Sequence, residues 1–236
     1  PMRPRAGPPR GAGRWSLVSE LRHGQVRPTE RALALVTSLL DRYGVLTRET
    51  VLAEGIPGGF ATLYPVLRAM EESGKSRRGY FVEGLGGSQF ALPGAIERLR
   101  AHREPERAIT ALAATDPANP FGAVLPWPSD AGRVSVDGAG ERVARFARVA
   151  GAFVVLDAGD LRLYLERGGR TLWTRDEVRR EHVQRLLEVA TRAGRVEIQR
   201  IDGLPTHASP FAGLLREAGF GTTPRGLVAW PVASGR

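Results

Sequence analysis

Cysteine is absent from this 236-residue chain, which removes disulfides, thiolate nucleophiles, iron–sulfur clusters and cysteine-based zinc sites together. Histidine is scarce: His23, His102, His182 and His207 stand apart without metal-ligand spacing, so no metal site and no cofactor is expected. No apolar run approaches the roughly 18 residues of a membrane span. The N-terminus also lacks the apolar core of a signal peptide, so the expectation is a cytoplasmic chain with no membrane partner. Lysine is nearly missing too. Of the 34 basic side chains, Lys75 is the only lysine and the others are arginine.

What is present is positive charge. Against 25 acidic residues the net charge is +9, which suits a polyanionic partner; where the charge sits matters more than its total. The length accommodates two small domains, each with its own core. The opening PMRPRAGPPRGAGR, with Pro1 before Met2, reads as part of a segment cut from a longer polypeptide. Its Arg3, Arg5, Arg10 and Arg14 lie among Pro and Gly, a composition too poor in apolar surface to fold alone. Residues 1–28 are therefore expected to be a flexible basic linker, 29–103 a first domain, 104–137 a Pro-rich connector and 138–236 a second domain.

In the first domain Val36, Leu39, Leu40 and Tyr43 fall at helical spacing, with Thr29 as N-cap and Gly44 as the stop. A short second helix runs from Thr47 to Glu54, and the three residues Gly44, Val45 and Leu46 leave only a tight corner between the two. The third helix carries Leu63, Val66, Leu67 and Met70. Starting it near Ala61 or Thr62 places Pro65 in the first turn, where no N–H is missed. Gly58 and Gly59 before it permit positive φ and a close approach to a phosphate. Gly74 ends this helix, and Lys75, Arg77, Arg78 and Tyr80 lead into a strand that turns at Gly84-Leu85-Gly86-Gly87 and returns to Leu92. A helix feeding a basic hairpin is the pattern of a winged helix-turn-helix, closed by a last helix opened by Pro93. Arg77 and Arg78, adjacent on a strand, point to opposite faces, so one of them packs on the domain. The candidate nucleic-acid contacts are Gly58, Gly59, Lys75, Arg77, Arg78 and Tyr80; no catalytic residue is assigned.

The stretch from Ala69 to Ser76 loosely matches a phosphate-binding loop, but the order is wrong. Such a loop follows a strand and opens a helix, whereas here a helix ends beside Glu71 and Glu72, where carbonyl oxygens and carboxylates repel phosphate. No ATPase is read from this chain.

The connector DPANPFGAVLPWPS holds Phe121 and Trp127, expected to pack on a neighbour, with stacking on an exposed base as the alternative. A β-meander follows: an apolar run from Gly151 to Asp157, then Leu161, Leu163 and Leu165 alternating with Arg162, Tyr164 and Glu166, then Thr171-Leu172-Trp173. Next come a helix with a capping box from Thr174 to Glu177, a strand from Arg195 to Ile201, a helix capped by Ser209, and a final strand near Gly226 to Trp230. The fold class expected is α+β: a winged helix-turn-helix domain followed by a small α/β domain with a curved, partly barrel-like antiparallel sheet.

The strings GRWSL (from Gly13), RYGVLTRE (from Arg42), PGGFATLYPVLRAMEESG (from Pro57), RRGYFVEGLGGSQFALPGA (from Arg77), DPANPFGAVLPWP (from Asp116) and YLERGGRTL (from Tyr164) together resemble the C-terminal region of bacterial large helicase-related (Lhr) proteins. The likeness runs from about Gly13 to Trp230. It implies a DNA-repair helicase whose ATP-driven motor sits elsewhere in the same or a longer polypeptide, with this chain as a nucleic-acid-binding accessory module. The resemblance extends in fold to DNA glycosylases that use a Gln-x-Gln motif, but Gln25, Gln89, Gln184 and Gln199 have no such partner. Three functions are compatible with these residues. The first is DNA (single- or double-stranded) or RNA binding through the wing. The second is base excision, for which Asp116, Asp157, Asp160 and Asp202 are the available acids. The third is scaffolding, with self-association into a homo-oligomer through the β-rich half.

Overall fold

The computed structural model describes residues 16–21, 26–101, 108–128, 133–136, 140–143 and 146–231. The expected linker arginines Arg3, Arg5, Arg10 and Arg14 lie outside them. A single helical turn, α1 (Val18–Leu21), precedes α2 (Pro28–Tyr43). The latter starts with Pro at its first position and Arg27 as the flanking residue, so Thr29 sits inside the first turn and is not the cap. At the other end Gly44 adopts φ 71° and its N–H reaches the Leu40 carbonyl at 2.8 Å, which explains why glycine stands there. Strand β1 (Val45–Leu46) and helix α3 (Arg48–Ala53) follow, the helix capped by the Thr47 hydroxyl accepting from the Thr50 N–H at 3.1 Å.

Helix α4 (Gly59–Glu72) begins two or three residues earlier than the proline suggested. Pro65 therefore lies beyond the first turn, and the Ala61 carbonyl goes without its usual i+4 donor; packing of Leu63, Leu67 and Met70 into the core outweighs that loss. Strands β2 (Arg77–Gly79) and β3 (Gln89–Ala91) complete a three-stranded sheet in the order β1-β3-β2, and α5 (Pro93–Ala101) closes the unit. Its core joins Val36, Leu39, Leu40, Leu46, Val51, Leu67 and the fully buried Phe90. Three helices and a small sheet with a loop between β2 and β3 make a winged helix.

Strand β4 (Ile109–Ala113) lies within the stretch read as connector and pairs along its length with β7 (Phe153–Asp157). Between them come the paired strands β5 (Arg133–Val136) and β6 (Gly140–Val143). Then β8 (Asp160–Leu165) and β9 (Thr171–Thr174) extend the meander, helix α6 (Arg180–Ala190) packs on it, and β10 (Val196–Ile198), β11 (Arg200–Ile201) and β12 (Leu204–Pro205) follow. Helix α7 (Ala212–Glu217) and the hairpin β13 (Gly221–Thr223) and β14 (Gly226–Ala229) end the described chain. One sheet has six strands in the order β12-β11-β9-β8-β7-β4, with β11 parallel to β9; another has three, β10-β14-β13. Among the described residues both sheets are open at their edges, so the expected partial barrel gives way to an open sheet.

The six-stranded sheet is buried on both faces. Val155, Leu163, Leu165 and Leu172 meet α6 through Val183, Leu186 and Ala190, while Val154, Leu156, Leu161, Tyr164 and Trp173 face Phe121, Trp127 and Phe146. Leu161 departs from the simple alternation that groups it with Leu163. Register shifts between Val155 and Leu156, which face Leu163 and Leu161, so Arg162 is the extra residue of a bulge and Leu161 turns to the opposite face. The capping box expected from Thr174 is likewise replaced. Thr174 ends β9 with its N–H and hydroxyl both donating to Asp202, at 2.7 and 2.6 Å, and α6 starts at Arg180. Ser209 precedes its helix by more than expected: its hydroxyl accepts from the Phe211 N–H at 3.3 Å and α7 begins at Ala212.

Candidate nucleic-acid interface

The wing is shorter and more tightly folded than a plain hairpin. Pairing stops at Gly79 and Gln89, and residues 80–88 curl back over the Gln89 side chain. That buried amide accepts from the N–H groups of Phe81 and Val82, both at 2.8 Å, and donates to the carbonyls of Val82 at 2.9 Å and Leu85 at 3.0 Å. One side chain thus replaces the missing ladder, as buried backbone groups require. Leu85 is tucked in beneath, and Gly84 and Gly87 take the positive φ of the turns.

The register separates the two arginines. Arg78 lies opposite Phe90, whose ring is in the core, and on that same side its guanidinium reaches the Tyr64 hydroxyl and the Glu71 carboxylate, each at 3.2 Å. Arg78 is therefore the residue packed on the domain. Arg77 lies opposite Ala91 and projects from the other face. Among the described residues neither Arg77 nor Lys75 has a hydrogen-bond or ion-pair partner, and both are exposed. Tyr80 is 90% exposed. Glu72, the acid at the end of α4, is held by Arg68 at 2.9 Å, so both acids that weaken this surface, Glu71 and Glu72, are partly offset.

Gly58 and Gly59 take φ of 76° and 61° at the start of α4. The positive φ at Gly58 favours glycine there, and a Cβ would in addition stand 2.3 Å from the methyl of the exposed Thr62, which would have to turn away. The Gly59 N–H already bonds the Ile56 carbonyl, and among the described residues the N–H groups of Phe60 and Ala61 have no acceptor outside the helix. The fourteen residues of α4 hold this end about 20 Å from Lys75. Lys75 thus precedes and Arg77 opens the first wing strand, Tyr80 follows its last paired residue, Arg78 lies against α4, and the two glycines form a separate place.

In the second half, sequence reasoning missed two arginine anchors. Arg148 donates to the carbonyls of Thr115, Asp116, Asn119 and Phe121, and buried Asn119 closes the same loop through Ala114 and Phe121. This loop delivers Phe121 and Trp127, stacked with ring centres 5.9 Å apart, onto Phe146 and Tyr164. The Tyr164 phenol is shifted upward by burial and bonds both backbone groups of Ala147. The second anchor is Arg179, whose guanidinium meets Asp157 at 2.7 Å. His182 Nδ1 accepts the Arg179 N–H at 2.9 Å, which leaves Nε2 to donate to Asp157 at 3.1 Å. Spacing along the chain gives no hint of either, because both bind partners across more than twenty residues.

The acids weighed for base chemistry divide by environment. Asp116 caps the Ala118 N–H, Asp157 holds Arg179 and His182, and Asp202 holds Thr174, its carboxyl shifted upward chiefly by burial. Asp160 stands at a cleft of about 580 Å³, lined also by Phe121, Trp127, Arg175 and Asp176, with Arg162 at 3.3 Å from its carboxylate. Among the described residues no helix is long and apolar enough to cross a membrane.

Comparison with known proteins agrees with this architecture. Residues 25–111 match the family model described as large helicase-related protein, winged-helix domain. The chain is 41% identical over 243 residues to the Lhr helicase/uracil glycosylase of Escherichia coli (strain K12), covering 96% of this chain and 15% of that protein. It is 40% identical over 238 residues to the Lhr helicase/probable uracil glycosylase of Mycolicibacterium smegmatis, covering 93% of this chain and again 15% of the relative. The chain therefore spans about 15% of the length of the curated relatives it matches.

Proposed function

The chain belongs to the large helicase-related family, and from that premise we propose that it is a nucleic-acid-binding accessory module, C-terminal to an ATP-driven helicase motor that lies outside it. The observation that carries this reading is the pair Lys75 and Arg77, exposed and, among the described residues, free of carboxylate partners at the base of a wing held rigid by Gln89. With no ion pair to break first, each can neutralise a phosphate at the cost of ordering its own side chain, about 0.5–1.5 kcal/mol. Tyr80, exposed just past the last paired residue of β2, supplies a ring for a sugar or base face, and the free amides after Gly59 offer a second phosphate position. The test is a salt titration of single- and double-stranded DNA and RNA binding. Lys75→Ala with Arg77→Ala should lower the slope of log affinity against log salt by roughly 1.4–1.8, about 0.7–0.9 for each phosphate no longer neutralised. Binding that is indifferent to salt would sink it.

A second reading is base excision, favoured by the cleft in which Asp160 stands near Trp127 and Phe121. A flipped uracil would lie against the aromatic wall while the Asp160 carboxylate steadied the sugar cation or positioned water. The names of both relatives include uracil glycosylase. Incubation with a uracil-containing oligonucleotide followed by cleavage of abasic sites tests it. Activity in the wild type that Asp160→Asn removes supports the assignment, and activity unchanged in that variant places the chemistry elsewhere.

A further inference from the structure

The second half carries a cation-rich cleft far along the chain from the wing. It lies where the 3-10 turn Thr206–Ala208, helix α7 and the β13–β14 hairpin meet. The cleft encloses about 400 Å³, and its walls include Gln199, Thr206, His207, Arg216, Thr222 and Arg225. Among the described residues no aspartate or glutamate lines it. In a concave site with walls of low dielectric, cations of one sign focus the field on whatever enters.

The polar groups are available. Among the described residues the side chains of Arg225, Thr222 and Gln199 make no hydrogen bond or ion pair. Arg216 gives only its Nε–H, to the Ala212 carbonyl of its own helix at 3.2 Å, which leaves its terminal nitrogens free. The position of Arg225 is set by the hairpin: the Thr223 hydroxyl accepts the Arg225 N–H at 3.3 Å and donates to the Gly226 carbonyl at 3.1 Å. Gly226 in turn is forced, since a Cβ there would come within 2.1 Å of the Ile198 carbonyl oxygen. The backbone that carries Arg225 is thus held by the turn, while its guanidinium is left without a partner among the described residues.

Guanidinium forks match the paired oxygens of a phosphate. A volume of about 400 Å³ is more than one such anion fills and lies within the span of small-molecule sites. The remaining hydroxyl and amide are suited to a sugar or a base edge. We propose that this cleft is a second phosphate-binding site for a nucleic-acid strand, with Arg216 and Arg225 on phosphodiester oxygens and Thr222 and Gln199 on the adjoining nucleoside. It rests on the reading that the chain binds nucleic acid, but on none of the wing residues.

The experiment is fluorescence anisotropy of a labelled single strand with the full chain across a salt series, for three variants: Arg216→Ala with Arg225→Ala, Thr222→Glu, and Lys75→Ala with Arg77→Ala. All five positions are surface residues or nearly so, and thermal melting checks that each variant folds. The arginine double variant should lower the salt slope by roughly 1.4, about 0.7 for each single-strand phosphate that an arginine no longer neutralises. Thr222→Glu, which sets a carboxylate in the cleft, should weaken binding several-fold. If the wing variant lowers the slope while the arginine cleft variant leaves it unchanged and Thr222→Glu leaves the affinity unchanged, the cleft assignment is overturned and the wing stands. If the arginine cleft variant lowers the slope, Thr222→Glu weakens binding and the wing variant changes neither, the wing reading falls and the cleft stands. A wild type that binds no strand overturns both. Stabilisation by inorganic pyrophosphate, with no effect of the cleft variants on strand binding, assigns the site to a small anion instead.

Discussion

Gln89 grips Val82 by both backbone groups, accepting its N–H and donating to its carbonyl. That two-bond ring is what an antiparallel neighbour would provide, so the wing keeps sheet-like order with strands of only three residues. The sequence shows a glutamine in an alternating stretch, and nothing in its spacing says that it serves four bonds at once.

Replacing Gln89 by Leu keeps the volume but strands the N–H groups of Phe81 and Val82. The expected cost is about 2–6 kcal/mol, since each of the two unsatisfied groups costs roughly 1–3. Urea unfolding measures it, and hydrogen exchange at Phe81 and Val82 should accelerate in the variant. A loss below about 0.5 kcal/mol, the usual range of a neutral surface change, would mean the wing holds itself by other interactions.

Arg148 should resist its conservative exchange. Lysine reaches as far but has a single nitrogen, and cannot serve four carbonyls spread from Thr115 to Phe121. Arg148→Lys is expected to lower stability by about 1–3 kcal/mol and to change tryptophan fluorescence as Trp127 loosens from Phe146 and Tyr164. Wild-type stability with an unchanged spectrum would show that the loop does not depend on this clamp.

Asp202 gives a pH dependence with a definite sign. Burial, the largest cause, raises its pKa above the ordinary value of 3.8, against the opposing bonds from Thr174. The folded state therefore holds this proton more tightly than the unfolded state does. Its contribution is most favourable below 3.8 and is lost as pH rises through the folded value. Asp202→Asn stays neutral and suits the left-handed backbone at φ 51°. Urea midpoints of the variant, followed upward from pH 4, should lack the decline attributable to this group; parallel curves would refute the assignment.

Gly226 is where β14 crosses closest to the chain between β10 and β11. With φ at 151° and the Ile198 carbonyl 2.1 Å from any Cβ, alanine cannot enter without moving backbone. Gly226→Ala should cost more than about 2 kcal/mol and weaken the β10–β14 pairing seen by amide exchange at Ile198. A variant as stable as the parent would mean that the hairpin shifts freely.

Much of the fold is legible along the chain. The apolar period of α2, the Thr47 cap and the Gly44 stop can be read there because each is settled within one or two turns, by groups three or four residues apart. The start of α4 cannot, because the local penalty at Pro65 is smaller than the gain from burying Leu63 and Leu67. The strand at Ile109–Ala113 escapes a local reading for a similar reason: it is ordered by its pairing with Phe153–Asp157, forty-odd residues away.

The candidate residues obey the same rule. Sequence alone marks Lys75, Arg77 and Arg78 as a basic run and assigns adjacent side chains to opposite faces, since that follows from strand geometry. Which of them is neutralised depends on Glu71 and Tyr64 arriving from α4, and Asp160 becomes distinctive only when Phe121 and Trp127 are folded beside it. By itself the chain determined that its main helices exist, where several turns fall and the sign of its charge, because those arise from neighbours in sequence and from composition. Only the tertiary structure decided which charges stay free and which acids meet aromatic rings, because burial and pairing are properties of atoms brought together from distant segments.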